Sequence, residues 1–211
     1  MIKTMGKELF VSLVILFLMF CILSWIVIQV PDNTLDQSIL IGFQNLHHAN
    51  LTVVAKTLAV VGGLPLTVIF ASCLWVYGYL KKDRFICYFV LLGSVLTVSS
   101  IWICKWIFAR ARPFWDLPVV ETYGSSYPSA HGAYAMMMAC ILLYVSHTIR
   151  YRFLVVGFAV FWCLAMGLSR IYVGAHFFTD VLAGWIWAGL TMLLVKMSLD
   201  SYQLNNRLET L

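Results

Sequence analysis

Charged residues are scarce in this sequence: they make up 11% of its 211 residues, while 62% are hydrophobic. A soluble domain carries about a quarter charged residues, so a fold that faces water on all sides is a poor match. No cluster of carboxylates suits a divalent metal, and no basic stripe or reader motif supports nucleic-acid binding. The six cysteines lie in apolar stretches without metal-ligand spacing, which predicts buried, unpaired thiols.

Long apolar runs are what the sequence has in abundance. A helix needs about 20 mainly apolar residues to span a membrane, and in hydrocarbon each backbone amide must be satisfied within its own segment. The first run lacks a small-residue cleavage site, which predicts a retained anchor rather than a signal peptide. The expected fold is all-α: a polytopic membrane protein whose single domain, residues 1–211, is one bundle of six transmembrane helices. The predicted spans are Phe10–Val30, Thr57–Leu80, Phe85–Ala109, Ser129–Ser146, Phe153–Ser169 and Phe178–Leu199. Gly62, Gly63 and Pro65 in the second span predict close packing or a kink.

The distribution of cations predicts the orientation of these spans. With six spans most lysines and arginines fall on one side, which the positive-inside rule makes cytoplasmic, together with both termini. The outer segments are then 31–56, 110–128 and 170–177, and the longer two are expected to be folded caps. The inner cations are Lys3, Lys7, Lys81, Lys82, Arg84, Arg150, Arg152, Lys196 and Arg207; the outer ones are Lys56, Lys105, Arg110, Arg112 and Arg170.

Two cations mark the outer end of the third span. Lys105 lies within an apolar helix, where a charge is costly and is usually functional, although a lysine can also extend to the membrane surface. Arg112 follows two helical turns later, on the same face if the helix continues that far. The two cations make an anion site plausible.

The start of the fourth span offers further groups for an anion. Ser129 is a good helix N-cap, and the free amides at a helix N-terminus favour a phosphate. His131 follows within the first turn and is either structural or functional. Near the last span, His176 and Asp180 are four residues apart, so that on a helix the carboxylate can orient the imidazole and raise its nucleophilicity. The alternative for this pair is a helix-entry ion pair.

Taken together, these residues resemble the type 2 phosphatidic acid phosphatases, which share their site with glucose-6-phosphatase and vanadium haloperoxidases. The pattern of that family is K-x6-R-P, then P-S-G-H, then S-R-x5-H-x3-D. This chain carries it between residues 105 and 184, as Lys105, Arg112, Pro113, Pro128, Ser129, Ala130, His131, Ser169, Arg170, His176 and Asp180. Ala130 departs from the usual glycine, which matters only if that position needs a positive φ angle.

The resemblance implies a role for each motif residue. His176 is expected to attack phosphorus and carry a phosphohistidine, with Asp180 fixing its tautomer, and His131 is expected to protonate the leaving oxygen. The phosphoryl oxygens are expected to be bound by Lys105, Arg112, Arg170, Ser129 and the amide of Ala130. No metal and no cofactor are expected.

The expected function is therefore that of a membrane enzyme that removes phosphate from a lipid phosphate or pyrophosphate. Undecaprenyl pyrophosphate, phosphatidylglycerophosphate, phosphatidate and diacylglycerol pyrophosphate all fit, and the compact size and short loops favour an isoprenyl pyrophosphate or a bacterial phospholipid. The expected location is a bacterial plasma membrane, with the site facing outward. The sequence leaves the oligomeric state open. One alternative is a phosphotransferase of the same fold; another is an anion transporter, against which stands the lack of ionisable residues near the midplane of four spans. A structural scaffold is a weaker alternative, because it needs no paired histidine and aspartate.

Overall fold

The computed structural model describes residues 2–113 and 120–208, and every regular element in that part of the chain is an α-helix. The all-α prediction is therefore confirmed. The middle of the predicted outer segment 110–128 lies outside the described residues, as do the side chains of Lys3 and Arg207, which contributed to the charge count. The helices are α1 (Ile2–Gln29), α2 (Thr34–Gln44), α3 (Ala49–Val61), α4 (Leu64–Leu80), α5 (Arg84–Phe108), α6 (Ala130–Val145), α7 (Arg152–Tyr172) and α8 (Phe178–Leu208).

Four of these helices, α1, α5, α7 and α8, are long and apolar enough to cross a membrane on their own. Helix α6 is apolar but has only 16 residues. At 1.5 Å per residue it is roughly 24 Å long, shorter than the roughly 30 Å hydrocarbon core. By length and composition, the described residues therefore contain four candidate spans, or five when a pair of helices joined at a sharp bend is counted as one span. The six-span topology stays a prediction.

The bent pair is α3 and α4, which meet at an angle of 56°. The sequence predicted one span, Thr57–Leu80, but the helix breaks at Gly62–Gly63. Pro65 lies in the first turn of α4; it lacks an N–H group and its ring clashes with the carbonyl four residues earlier, so a helix cannot continue through it. A Cβ atom on Gly62 would lie 2.1 Å from the Cε atom of Met166. Both predicted consequences, a kink and close packing, are thus present.

Helix α6 lies at the centre of the bundle and packs against α5, α7 and α8, while α1 packs against α8. Its core positions Met137 and Ile141 are almost fully buried. Large apolar side chains cover the outside instead: Trp106 is 83% exposed and Phe161 is 66% exposed. Such an extensive apolar surface suits a hydrocarbon environment.

All six cysteines are unpaired, as predicted. Cys104 and Cys163 are buried, whereas Cys21 and Cys73 are exposed. The prediction of burial is wrong for the latter two, because an apolar stretch in a lipid-facing helix need not point inward.

Two glycines allow α6 and α8 to approach closely at one end. A Cβ atom on Gly184 would lie 2.4 Å from the carbonyl oxygen of Ser129, and one on Gly132 would lie 3.2 Å from that of Val181. This approach lets the amide of Ser129 donate a hydrogen bond of 2.9 Å to the carbonyl oxygen of Asp180. The start of α6 and the start of α8 are therefore held together, and both carry motif residues.

Candidate active site

Lys105 and Arg112 do not share a helical face, because α5 ends at Phe108. Ala109 caps it in the left-handed conformation, with φ +44° and ψ +30°, and the chain then turns back over the helix end. The Nζ atom of buried Lys105 donates to the carbonyl oxygen of Ser125 at 2.5 Å. The guanidinium of Arg112 donates to the carbonyl oxygens of Tyr123, Gly124 and Ala175. Backbone carbonyls, rather than a continuous helix, thus orient both cations.

The second motif forms the N-terminus of α6. Ser129 is its N-cap and is fully buried; its hydroxyl accepts a hydrogen bond of 3.3 Å from the amide of Gly132. Ala130 is the first helical residue and has no positive φ angle, so alanine carries no backbone penalty there. The Nε2 atom of His131 lies 3.0 Å from the carbonyl oxygen of Ala59 on α3. Because a carbonyl can only accept, this nitrogen is protonated.

The third motif spans the turn between α7 and α8. Gly174 adopts a positive φ of 68°, which a glycine tolerates without strain. The reversal lets the amides of Ala175 and His176 donate to the carbonyl oxygen of Arg170, at 3.0 and 3.3 Å. His176 precedes α8, and Asp180 lies in its first turn. The two side chains lie close together, as their spacing predicts, but His176 is just outside the helix rather than on it.

His176 and Asp180 form a buried pair, 3% and 0% exposed. The Nδ1 atom of His176 lies 3.5 Å from the Oδ2 atom of Asp180, which also accepts hydrogen bonds from the hydroxyl of Ser126 and, at 2.9 Å, from the amide of Phe177. On the other side of the ring, Nε2 lies 3.4 Å from the Nη1 atom of Arg112. Since a guanidinium can only donate, Nε2 carries the lone pair and Nδ1 carries the proton that faces the carboxylate.

Burial lowers the pKa of His176 from 6.5 to about 3, against the opposing effect of Asp180. Lys105 and Arg112 lower the pKa further. The imidazole is therefore neutral at physiological pH, as a nucleophile must be.

A cavity of about 680 Å³ joins the three motifs. Buried Arg170 forms part of the cavity wall and has unsatisfied donors. Its Nε and Nη2 atoms contact no hydrogen-bond acceptor in the part of the chain that the structure describes. An anion in the cavity would satisfy these donors. Ser129 and Asp180 lie behind the wall rather than on it. The motif residues that line the cavity are Lys105, Arg112, Ala130, His131, Arg170 and His176.

Sequence reasoning missed a buried network behind Asp180. Arg110 donates from Nη1 to the Oδ1 atom of Asp180 at 2.7 Å and from Nη2 to the Oδ2 atom of Asp36 at 2.9 Å. Asp36 lies on α2 and is 0% exposed. From the sequence alone, Arg110 is identified only as one of the outer cations. Its position two residues before Arg112, together with an acid in the first outer segment, was the available signal.

Within residues 2–113 and 120–208, no three His, Cys, Asp or Glu side chains come together as a metal site. The expectation that the enzyme needs no metal stays a prediction.

Comparisons with known proteins place the motifs in a wider context. The profile of the PAP2 superfamily matches residues 84–201, more than half of the chain. Phosphatidylglycerophosphatase B of Bacillus subtilis (strain 168) is 28% identical over 141 residues, which cover 63% of this chain and 66% of that protein, slightly under two thirds of its length. The crystal structure of a transmembrane PAP2-type phosphatidylglycerolphosphate phosphatase from Bacillus subtilis has a TM-score of 0.74 and 25% identity, over 90% of this chain and 96% of that one. Aquifex aeolicus LpxE shares the fold, with a TM-score of 0.62 and 23% identity over 78% of this chain and 96% of that one.

Proposed function

Because this chain belongs to the PAP2 superfamily, we propose that it is a membrane lipid phosphatase that works through a phosphohistidine on His176. The observation that carries the proposal is the position of this imidazole. Its neutral ring lies on the wall of a cavity rich in cations, with Asp180 behind Nδ1 and Arg112 beside Nε2. A nucleophile, an orienting acid and phosphoryl-binding cations are what phosphoryl transfer requires.

In the first step, the Nε2 atom of His176 attacks phosphorus and the bond from phosphorus to the leaving oxygen breaks. Asp180 stabilises the positive charge that develops on the ring. His131 gives a proton to the leaving oxygen. This step requires His131 in its doubly protonated, positively charged form. The carbonyl oxygen of Ala59 holds the Nε2 proton, so the transferred proton comes from Nδ1 and the ring is left neutral.

In the second step, water attacks the phosphohistidine, the nitrogen–phosphorus bond breaks and inorganic phosphate leaves. His131 accepts the proton of the water and so returns to its starting state. Lys105, Arg112 and Arg170 bind the phosphoryl oxygens in both steps, assisted by the amides at the start of α6, including that of Ala130. Ser129 contributes as the N-cap that shapes this helix end.

The proposed substrate is an amphiphilic phosphate whose tail stays in the bilayer. The Bacillus subtilis relatives named above act on phosphatidylglycerophosphate by their names, so this lipid is the first candidate, followed by undecaprenyl pyrophosphate, phosphatidate and diacylglycerol pyrophosphate. The proposed setting is a bacterial plasma membrane crossed by six spans, with both termini inside and the site outside.

The proposal is tested by phosphate release from a panel of these lipids by the purified protein, with and without chelator. We expect release from at least one lipid without any acceptor lipid, undiminished by chelator and inhibited by vanadate. His176→Ala should abolish it. A protein that transfers phosphate only to an acceptor lipid, or that works only with added magnesium, contradicts the proposal.

A further inference from the structure

Arg110 bridges two fully buried carboxylates that lie far apart in the sequence. Its Nη1 atom donates to the Oδ1 atom of Asp180 and, at 2.8 Å, to the hydroxyl of Thr179; its Nη2 atom donates to Asp36 and, at 2.6 Å, to the carbonyl oxygen of Pro31. The guanidinium also lies over the ring of Phe177, 4.2 Å from its centroid. Four acceptors and one aromatic face therefore fix its position.

Several hydrogen bonds also fix the position of Asp36. Its Oδ1 atom accepts a hydrogen bond of 2.9 Å from the amide of Thr179, and its Oδ2 atom accepts from the hydroxyl of Thr179 and, at 2.8 Å, from the side-chain amide of Asn33. Asp36 lies outside the residues 84–201 that match the family profile. Helix α2, in the first outer segment, is thereby tied to the first turn of α8.

We propose that Arg110 and Asp36 are positioning residues for the reaction, acting through Asp180 on His176. The proposal rests on the function proposed above. Arg110 holds the Oδ1 atom of Asp180, which directs Oδ2 toward the Nδ1 atom of His176, and Asp36 holds Arg110 in turn. Neither residue lines the cavity, so neither contacts the phosphoryl group.

The charge balance supports this arrangement. Two carboxylates share one guanidinium, so the network keeps a net negative charge behind the neutral imidazole. That charge is available when His176 becomes positive during attack. Besides Arg110 and His176, the charged or titratable groups that interact electrostatically with Asp180 are Lys105, Arg112 and Tyr127.

If Arg110 and Asp36 only stabilised the fold, their substitution would have a different effect from that of positioning residues. Their loss would lower the yield of folded protein but leave the turnover of each folded molecule unchanged. A positioning network affects kcat and leaves KM nearly unchanged, because the phosphate contacts remain intact. A misplacement of about 1 Å in a catalytic group costs about a hundredfold in rate.

The test uses two variants and a matched control. Arg110→Lys keeps the positive charge but cannot reproduce the planar fork that reaches both carboxylates. The double variant Arg110→Gln/Asp36→Asn removes one charge of each sign, so the net charge of the buried network stays the same as in the wild type. Asp200→Asn is the control. It also lies on α8, and it removes only an ion pair with Lys196 in which both side chains are 36% exposed.

We expect kcat to fall at least about tenfold in both variants, KM to stay within about threefold, and the control to match the wild type. In substrate-free protein, the ¹⁵N resonances of His176 should shift in both variants and not in the control. Folded variants with kcat within about twofold of the wild type, or a rise in KM alone, would overturn the proposal. If the double variant does not fold, Arg110→Lys decides, and Asp36→Asn provides a milder version of the same test.

The two proposals fail separately. A wild-type protein that releases no phosphate from any lipid contradicts the proposed function. The ¹⁵N spectra need no substrate, so unshifted His176 resonances in a folded Arg110→Lys variant contradict the positioning role whatever the activity.

Discussion

The contact between α6 and α8 offers a sharp test, because it is set by the missing side chain of Gly184. A Cβ atom there would lie 2.4 Å from the carbonyl oxygen of Ser129 and 3.1 Å from the amide nitrogen of Ala133. Both are backbone atoms, so Gly184→Ala must move one helix away from the other by roughly 1 Å to restore normal contact. A displacement of that size at a catalytic group costs about a hundredfold in rate. We expect kcat to fall by this factor and stability to fall by about 1–3 kcal/mol.

The assay is phosphate release per folded molecule, with thermal unfolding in detergent measured in parallel. Gly189→Ala is the control on the same helix: its Cβ atom would meet only the Cδ1 atom of Leu16, at an ordinary 3.9 Å. We expect the control to keep full activity and to gain up to about 1 kcal/mol of stability from the better helix former. A folded Gly184→Ala variant as active as Gly189→Ala would refute the argument that this approach sets the site.

Three further predictions follow from other parts of the molecule. Ala109→Gly should raise stability by about 0.5–1 kcal/mol, since the φ angle of 44° disfavours alanine; an unchanged or lower melting temperature contradicts this. Because burial lowers the pKa of His176 from 6.5 to about 3, the unfolded chain binds one more proton between these values. Stability should therefore fall as the pH drops below 6.5, by up to about 1.4 kcal/mol per pH unit, and His176→Gln should flatten that slope; an unchanged slope contradicts it. In a cysteine-free background, Glu121→Cys should react with an impermeant thiol reagent on intact cells and Gln203→Cys should not; the reverse pattern overturns the topology.

The motif residues were predictable because their type and spacing carry the chemistry. Spacing alone relates His176 to Asp180, and the structure brings His131, Lys105 and Arg170 to the same cavity as His176. The break between α3 and α4 was also signalled, by two glycines and a proline. Helical periodicity did not locate the start of this region, because α3 begins at Ala49, eight residues before the start of the predicted span.

Other features carried no local signal. Ala109 ends α5 in a conformation that alanine disfavours, so no propensity rule finds it. Asp36 and Arg110 are separated by 74 residues, and their pairing depends on how α2 packs against the start of α8. Such long-range contacts follow from tertiary packing rather than from local sequence.

The central claim, that His176 is the nucleophile, is tested most directly by trapping the phosphoenzyme. The protein is mixed with a ³²P-labelled lipid phosphate, quenched within the first turnover, and the labelled peptide is identified by mass spectrometry. We predict an acid-labile, base-stable phosphate on His176, absent from His176→Ala. It should accumulate in His131→Ala with an activated aryl phosphate, because that leaving group needs no proton whereas the attacking water still does. Label on another residue, or label that persists in folded His176→Ala, would contradict the account.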